Sequence, residues 1–178
     1  MAEVEDNITQ KIIVDTVSGK YSAIGGFGER LKQVEKRVKK HVRKNISISS
    51  PSDTDNAADI SNHVEKIILK TRKRAKPNPW GWCFCSSHPA DIRTAKCISE
   101  KERVCVSEPI PENAVITACA TCPHSLVNES FFDCWVSERD ACKEASEDTC
   151  NHELVRHLSK EKFEILDKFL KNRFEGDS

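Results

Sequence analysis

The sequence predicts a mostly α protein, with a helical N-terminal half, a loop-rich middle stapled by zinc, and C-terminal helices. Three observations carry this expectation. Leu31, Val34, Val38 and Val42 recur at spacings of three and four, which lines them up on one stripe of a helix. All nine cysteines lie between Cys83 and Cys150, and none falls in the first 82 residues. Leu154, Val155, Leu158, Ile165, Leu166, Phe169 and Leu170 give the C-terminal stretch a helical apolar pattern.

Taken in order, residues 2–15 read as a weak helix or an extended segment, with Ile8, Ile12 and Ile13 apolar. The stretch from Ser18 to Gly28 holds four of the six glycines and predicts a turn, because glycine weakens helix and strand interiors. A helix is expected from Gly28 or Glu29 to about Lys44, basic outside its apolar stripe. Residues 45–56 form a Ser/Asn/Asp/Pro linker. A second helix is expected over 57–73, capped by Asn56 or Asp59 and ending in a basic run. Pro77 and Pro79 stop it.

From there to residue 128 no sustained period is visible, apart from a short strand expected at Arg103–Val106. Helix returns at Glu129 and reaches about Glu144. Thr149 or Asn151 would cap the last helix, which Ser159-Lys160-Glu161 would bend. Cys134, Cys142 and Cys150, spaced eight apart, would line one helix face as small hydrophobes. The expected division is a basic helical region over 1–76 and a Cys-rich zinc module over 77–178.

Composition narrows the function classes. The net charge of zero conceals a balance of +6 over residues 1–80 and −6 over 81–178. A basic half beside an acidic half suggests two jobs, or one half docking on the other. No apolar run approaches the ~18 residues of a membrane span, so no membrane partner is expected. The acidic segment Met1–Asp6 lacks the apolar stretch of a secretory signal, which predicts a cytoplasmic, reducing setting where thiols stay available to metal.

Zinc takes four thiolate or imidazole ligands in a tetrahedron, and a Cys-x-x-Cys turn supplies two on one loop. Cys119 and Cys122 are that pair, with Pro123 stiffening the exit. Cys83, flanked by Trp80 and Trp82, is the third expected ligand. Cys97 is the preferred fourth, with Cys105, Cys85 and His88 as alternatives and His124 close by. An iron–sulfur cluster is the rival that such donors could hold.

Catalytic signals are thin. There is no Gly-x-Ser-x-Gly, no Walker loop and no His-Glu-x-x-His. Gly25-Gly26-Phe27-Gly28 before a basic helix could cradle a phosphate, but a plain turn is the simpler reading.

The segments Pro79-Trp80-Gly81-Trp82-Cys83 and Cys119-Ala120-Thr121-Cys122-Pro123-His124, with a cysteine between them and a helix after, resemble the Cys-rich tail of phage-type tyrosine site-specific recombinases, the integrases of mobile elements. Ser18 to Gly28 with its following helix is similar to the segment before that tail, so the likeness spans about residues 15–172. It implies a tail module of DNA recombination and integration, with a recombinase or another mobile-element protein as partner. The catalytic equipment of that family is missing. No His-x-x-Arg occurs, and Tyr21, the only tyrosine, sits in the glycine turn as a loop anchor. The expectation is therefore a non-enzyme.

Two roles remain. One is DNA binding through Lys36, Arg37, Lys39, Lys40, Arg72, Lys73 and Arg74, because Lys and Arg neutralise phosphates regardless of base sequence. The other is a protein-interaction module whose C-terminal helix offers Phe163, Phe169 and Phe174.

Overall fold

A computed structural model describes residues 2–46, 74–110 and 113–174. Among these the chain is predominantly α, with six helices around one small sheet. In order they are α1 (Ala2–Val17), β1 (Ala23–Ile24), α2 (Gly26–Ile46), β2 (Lys76–Asn78), β3 (Gly81–Cys83), α3 (Pro89–Thr94), a 3-10 turn (Glu102–Val104), α4 (Ile116–Thr121), β4 (Ser125–Asn128), α5 (Glu129–Glu147) and α6 (Glu153–Phe174). The expected helix over 57–73, and all but the first two residues of the expected linker, lie outside the described residues.

The sheet runs β1-β4-β3-β2, antiparallel throughout. Its side chains alternate with period two, so both faces are used. Ala23 and Leu126 join Ile13, Val17, Phe27, Leu31 and Phe84 beneath α1 and α2. Ile24 and Val127 join Ile116, Phe132, Trp135, Leu166, Phe169 and Leu170 beneath α4, α5 and α6. Stacked ring pairs mark each core, Phe27 on Phe84 at 4.1 Å and Trp135 on Phe169 at 4.4 Å. The expected boundary at 76/77 falls inside β2, and β1 of the N-terminal region pairs with β4 of the C-terminal one. One sheet thus joins the two regions.

A third, smaller core lies under the loop from Phe84 to Ile110. It comprises Cys85, Ile92, Ala95 and Ile98, rimmed by Cys83, Cys97, Val106 and Ile110. The strand expected at Arg103–Val106 is instead the 3-10 turn. Ser99 and Glu102 form a reciprocal cap there: the Ser99 N–H donates to Glu102 Oε2 at 3.0 Å, and the Glu102 N–H donates to Ser99 Oγ at 3.4 Å.

The C-terminal half also departs from expectation. α6 runs unbroken through Ser159-Lys160-Glu161. Its first turn is capped by His152, whose Nδ1 accepts the Leu154 N–H at 3.2 Å, while Asn151 instead ties back to the Ala145 carbonyl at 3.1 Å. Cys142 is buried, whereas Cys134 and Cys150 are exposed. A step of eight residues overshoots two helical turns by about 80°, and Cys150 lies beyond the end of α5, so the three do not share a face.

Candidate metal centre

The Trp-Gly-Trp-Cys segment is a tight hairpin. Asn78 pairs with Gly81 across it, and Asn78 Oδ1 accepts the Trp80 N–H at 2.8 Å, an Asx turn that closes the loop. The hairpin is bolted to the C-terminal core at both ends of Trp80. Its indole N–H donates to the Ala114 carbonyl at 2.7 Å, and its own carbonyl accepts the Trp135 indole N–H at 2.7 Å. Strand alternation then sends Trp82 to the α1/α2 side with Leu126, and Cys83 to the opposite side with Ser125. Trp82, although next to Cys83 in sequence, therefore lies on the other face of the sheet.

The Cys-x-x-Cys pair occupies the end of a helix. Cys119 sits in the last turn of α4, and Cys122 is its C-cap, donating its N–H to the Cys119 carbonyl at 3.2 Å. Ser125 Oγ donates to the Cys122 carbonyl at 2.9 Å. Beneath lies Gly26. A Cβ there would come within 2.6 Å of the Cys122 carbonyl oxygen and closer still to Pro123. The glycine turn is thus a seat for the Cys122–Pro123 backbone, and that backbone fills the space a phosphate cradle would need.

Cys83, Cys97, Cys119 and Cys122 line one cavity of about 20 Å³, room for a single water or ion. Lys76, Pro77, Asn78, Pro109, Ala114, Ala118 and Ser125 complete its wall. Burial pushes Cys83 up to about 11 and Cys119 up to about 12, and raises Cys97 as well; neighbouring thiols add to each shift. Opposing this, the Cys85 N–H points at the Cys83 sulfur and the Ile110 N–H at the Cys97 sulfur. Such hydrogen bonds favour thiolate. All nine thiols are free of disulfides. Among the described residues no three Cys, His, Asp or Glu are drawn together tightly enough to hold a metal ion, so the four sulfurs ring the cavity rather than close on a point.

The alternative ligands are placed elsewhere. Cys85 is buried in the small core, where burial pushes it up to about 12. Cys105 is exposed. His88 caps α3, its Nδ1 accepting the Ala90 N–H at 3.2 Å, with Pro89 opening the helix. His124 is fully buried but turned to α3, its Nε2 lying 2.8 Å from Thr94 Oγ1 and 3.1 Å from the Asp91 carbonyl. It pins α3 to the Cys-x-x-Cys turn and does not line the cavity. Asp91 in turn holds the chain after Cys85, accepting from Ser86 Oγ at 2.7 Å and the Ser86 N–H at 3.1 Å.

The cationic residues divide. On α2, Phe27 and Leu31 are buried, while Arg30, Lys36, Arg37 and Lys40 are exposed on the outward side. None of these four has an ion-pair partner among the described residues. Arg74 is engaged, its Nε 3.0 Å from Asp6 of α1. Arg72 and Lys73, and the side chain of Lys39, lie outside the described residues. Of the expected interaction residues, Phe169 is core and Phe163 packs against the same core; Phe174's side chain is outside the described ones. The exposed apolar residues of α6 are instead Leu154, Val155, Leu158 and Ile165. Tyr21 is half-buried under the Lys20 ammonium, 5.4 Å from its ring centre, consistent with an anchor. No described helix is long and apolar enough to cross a membrane.

Comparison of the chain with protein-family models, with curated proteins and with solved structures returns no match.

Proposed function

We propose that this chain is a non-catalytic, zinc-stapled accessory protein of a mobile element that binds duplex DNA through the outward face of α2. The observation that carries the DNA reading is the row Arg30, Lys36, Arg37 and Lys40, exposed and without ion-pair partners among the described residues. Ten residues of helix set those cations along about 15 Å, and a helix of that kind fits a major groove about 12 Å wide. The mobile-element assignment rests on the resemblance of the Trp-Gly-Trp-Cys and Cys-x-x-Cys-Pro-His segments to recombinase tails.

Zinc is supported by the donor set. Four thiols from three separate stretches of chain share one ion-sized cavity. Cys83, Cys97, Cys119 and Cys122 would hold the ion as thiolates. The metal would supply a cross-link between the hairpin, the loop and α4. That loop needs one, because four buried side chains are a small core against the cost of ordering so long a segment.

The test is salt-dependent binding of a short duplex, followed by fluorescence anisotropy. Four phosphate contacts give a log–log slope of about −3.6. The variant Lys36→Gln/Arg37→Gln/Lys40→Gln should flatten it by about 2.7. Absence of binding at low salt, or an unchanged slope in the variant, would remove the DNA reading. Metal content of protein purified without added zinc tests the staple: one zinc per chain is expected, lost in Cys119→Ser/Cys122→Ser and kept in Cys105→Ser.

A second reading has its own observation. Leu154 and Leu158 are 60% and 54% exposed on the first turns of α6, so a protein partner there is the alternative if DNA binding fails.

A further inference from the structure

α5 carries a charge pattern that the DNA reading does not use. Its buried side holds Phe132, Trp135 and Cys142 against the C-terminal core. Its outward side presents Asp133, Glu144 and Glu147, all exposed and without ion-pair partners among the described residues. Asp140 lies on the same side but is neutralised by Arg139, whose guanidinium sits 2.7 Å from its carboxylate. Fourteen residues separate Asp133 from Glu147, so the row extends about 21 Å along the helix. The one exposed cation beside it on α5 is Lys143, next to Glu144, so the row keeps a net negative charge.

The matching surface is on the other side of the same chain. α2 packs on the sheet face of Ala23 and Leu126, and α5 on the face of Ile24 and Val127. The cationic row of α2 and the carboxylate row of α5 therefore belong to helices packed on opposite faces of the sheet, and no ion pair joins them among the described residues. Between two molecules the rows can meet. Rows of opposite sign and comparable length (about 15 Å and 21 Å) suit two helices laid side by side. We infer that the carboxylate face of α5 is a docking surface for the α2 face of a second copy of this chain. The contact is heterologous: each copy uses one face and leaves the other free. It does not rest on nucleic-acid binding, although a duplex held on α2 would compete with it.

Sedimentation velocity of the full chain, metal as purified, tests this. In 50 mM NaCl the average mass should climb above the 20.1 kDa monomer as concentration rises, and in 500 mM NaCl it should return to monomer. Two variants then separate the faces. Asp133→Asn/Glu144→Gln/Glu147→Gln and Arg30→Gln/Lys36→Gln/Arg37→Gln/Lys40→Gln should each be monomeric alone. Mixed one to one, they should form a dimer and nothing larger, because only one functional pair of faces remains. At concentrations where the wild type is monomeric, the carboxylate variant should bind duplex DNA with the wild-type salt slope; absence of binding by both would strike the DNA reading and leave this one standing. A wild-type chain that stays monomeric at 50 mM NaCl and several hundred micromolar overturns the inference. So does self-association that survives in the carboxylate variant, which would assign the contact to another surface such as Leu154 and Leu158.

Discussion

Gly26→Ala separates the glycine turn as a seat for the thiol pair from the glycine turn as a flexible joint. Gly26 has no positive φ, so alanine carries no backbone strain there. In the first turn of α2 it should even gain up to about 1 kcal/mol of helix propensity. The opposing effect is steric. The new methyl would meet the Cys122 carbonyl oxygen at 2.6 Å and Pro123 more closely still, and both obstacles are backbone. Overpacking of this kind costs roughly 1–3 kcal/mol, and here the neighbour cannot rotate away. A net loss of about 1–2 kcal/mol is expected. Because the displaced backbone is the Cys-x-x-Cys turn, retention of the proposed zinc against a chelator should weaken too. Gly28→Ala, two residues on, is the control: its methyl meets Ala23 at 3.3–3.6 Å, which small shifts relieve. It should be neutral or slightly stabilising. Urea unfolding of both variants, with a chelator competition, reads the difference. Equal stabilities for the two variants would refute the seating argument.

Trp135→Phe should cost about 2–4 kcal/mol, because it strips the Trp80 carbonyl of its donor and leaves a void against Phe169; a stability from urea unfolding within about 0.5 kcal/mol of wild type would contradict this. The pH dependence of stability should change sign with metal. In metal-free protein, Cys83 and Cys119 ionise more reluctantly folded than unfolded, so stability is full below pH 9.0 and falls as pH rises toward 11 and 12. With zinc bound, the same sulfurs are held as thiolates below their unfolded value, so stability is present in alkali and lost as acid protonates them. Thermal unfolding across pH, with and without chelator, checks both directions; two curves of the same slope would argue against thiolate ligation.

Much of the chain was legible from periodicity and spacing. The stripe of Leu31 and Val34 gives α2, the C-terminal pattern gives α6, and the Cys-x-x-Cys spacing gives Cys119 and Cys122, whose cavity Cys83 and Cys97, the latter preferred over Cys105, Cys85 and His88, also line. The Ser99-x-x-Glu102 spacing is a capping signal, and it accounts for the 3-10 turn where a strand over Arg103–Val106 was expected. These features depend on residues close in sequence, where one helix period or one turn decides the outcome.

The rest depends on what meets across the chain. Residues 125–128 are too few to show a strand period, and β4 exists because β1 and β3 pair with it on either side. Gly26 reads as flexible until Pro123 arrives on top of it. His124 reads as a ligand beside Cys122 until its ring is seen to face Asp91 and Thr94. Which face of a residue is used is a property of its neighbours from distant segments. Composition and period supply the donors and the helices; only the packed sheet, with one core on each side, decides where they point.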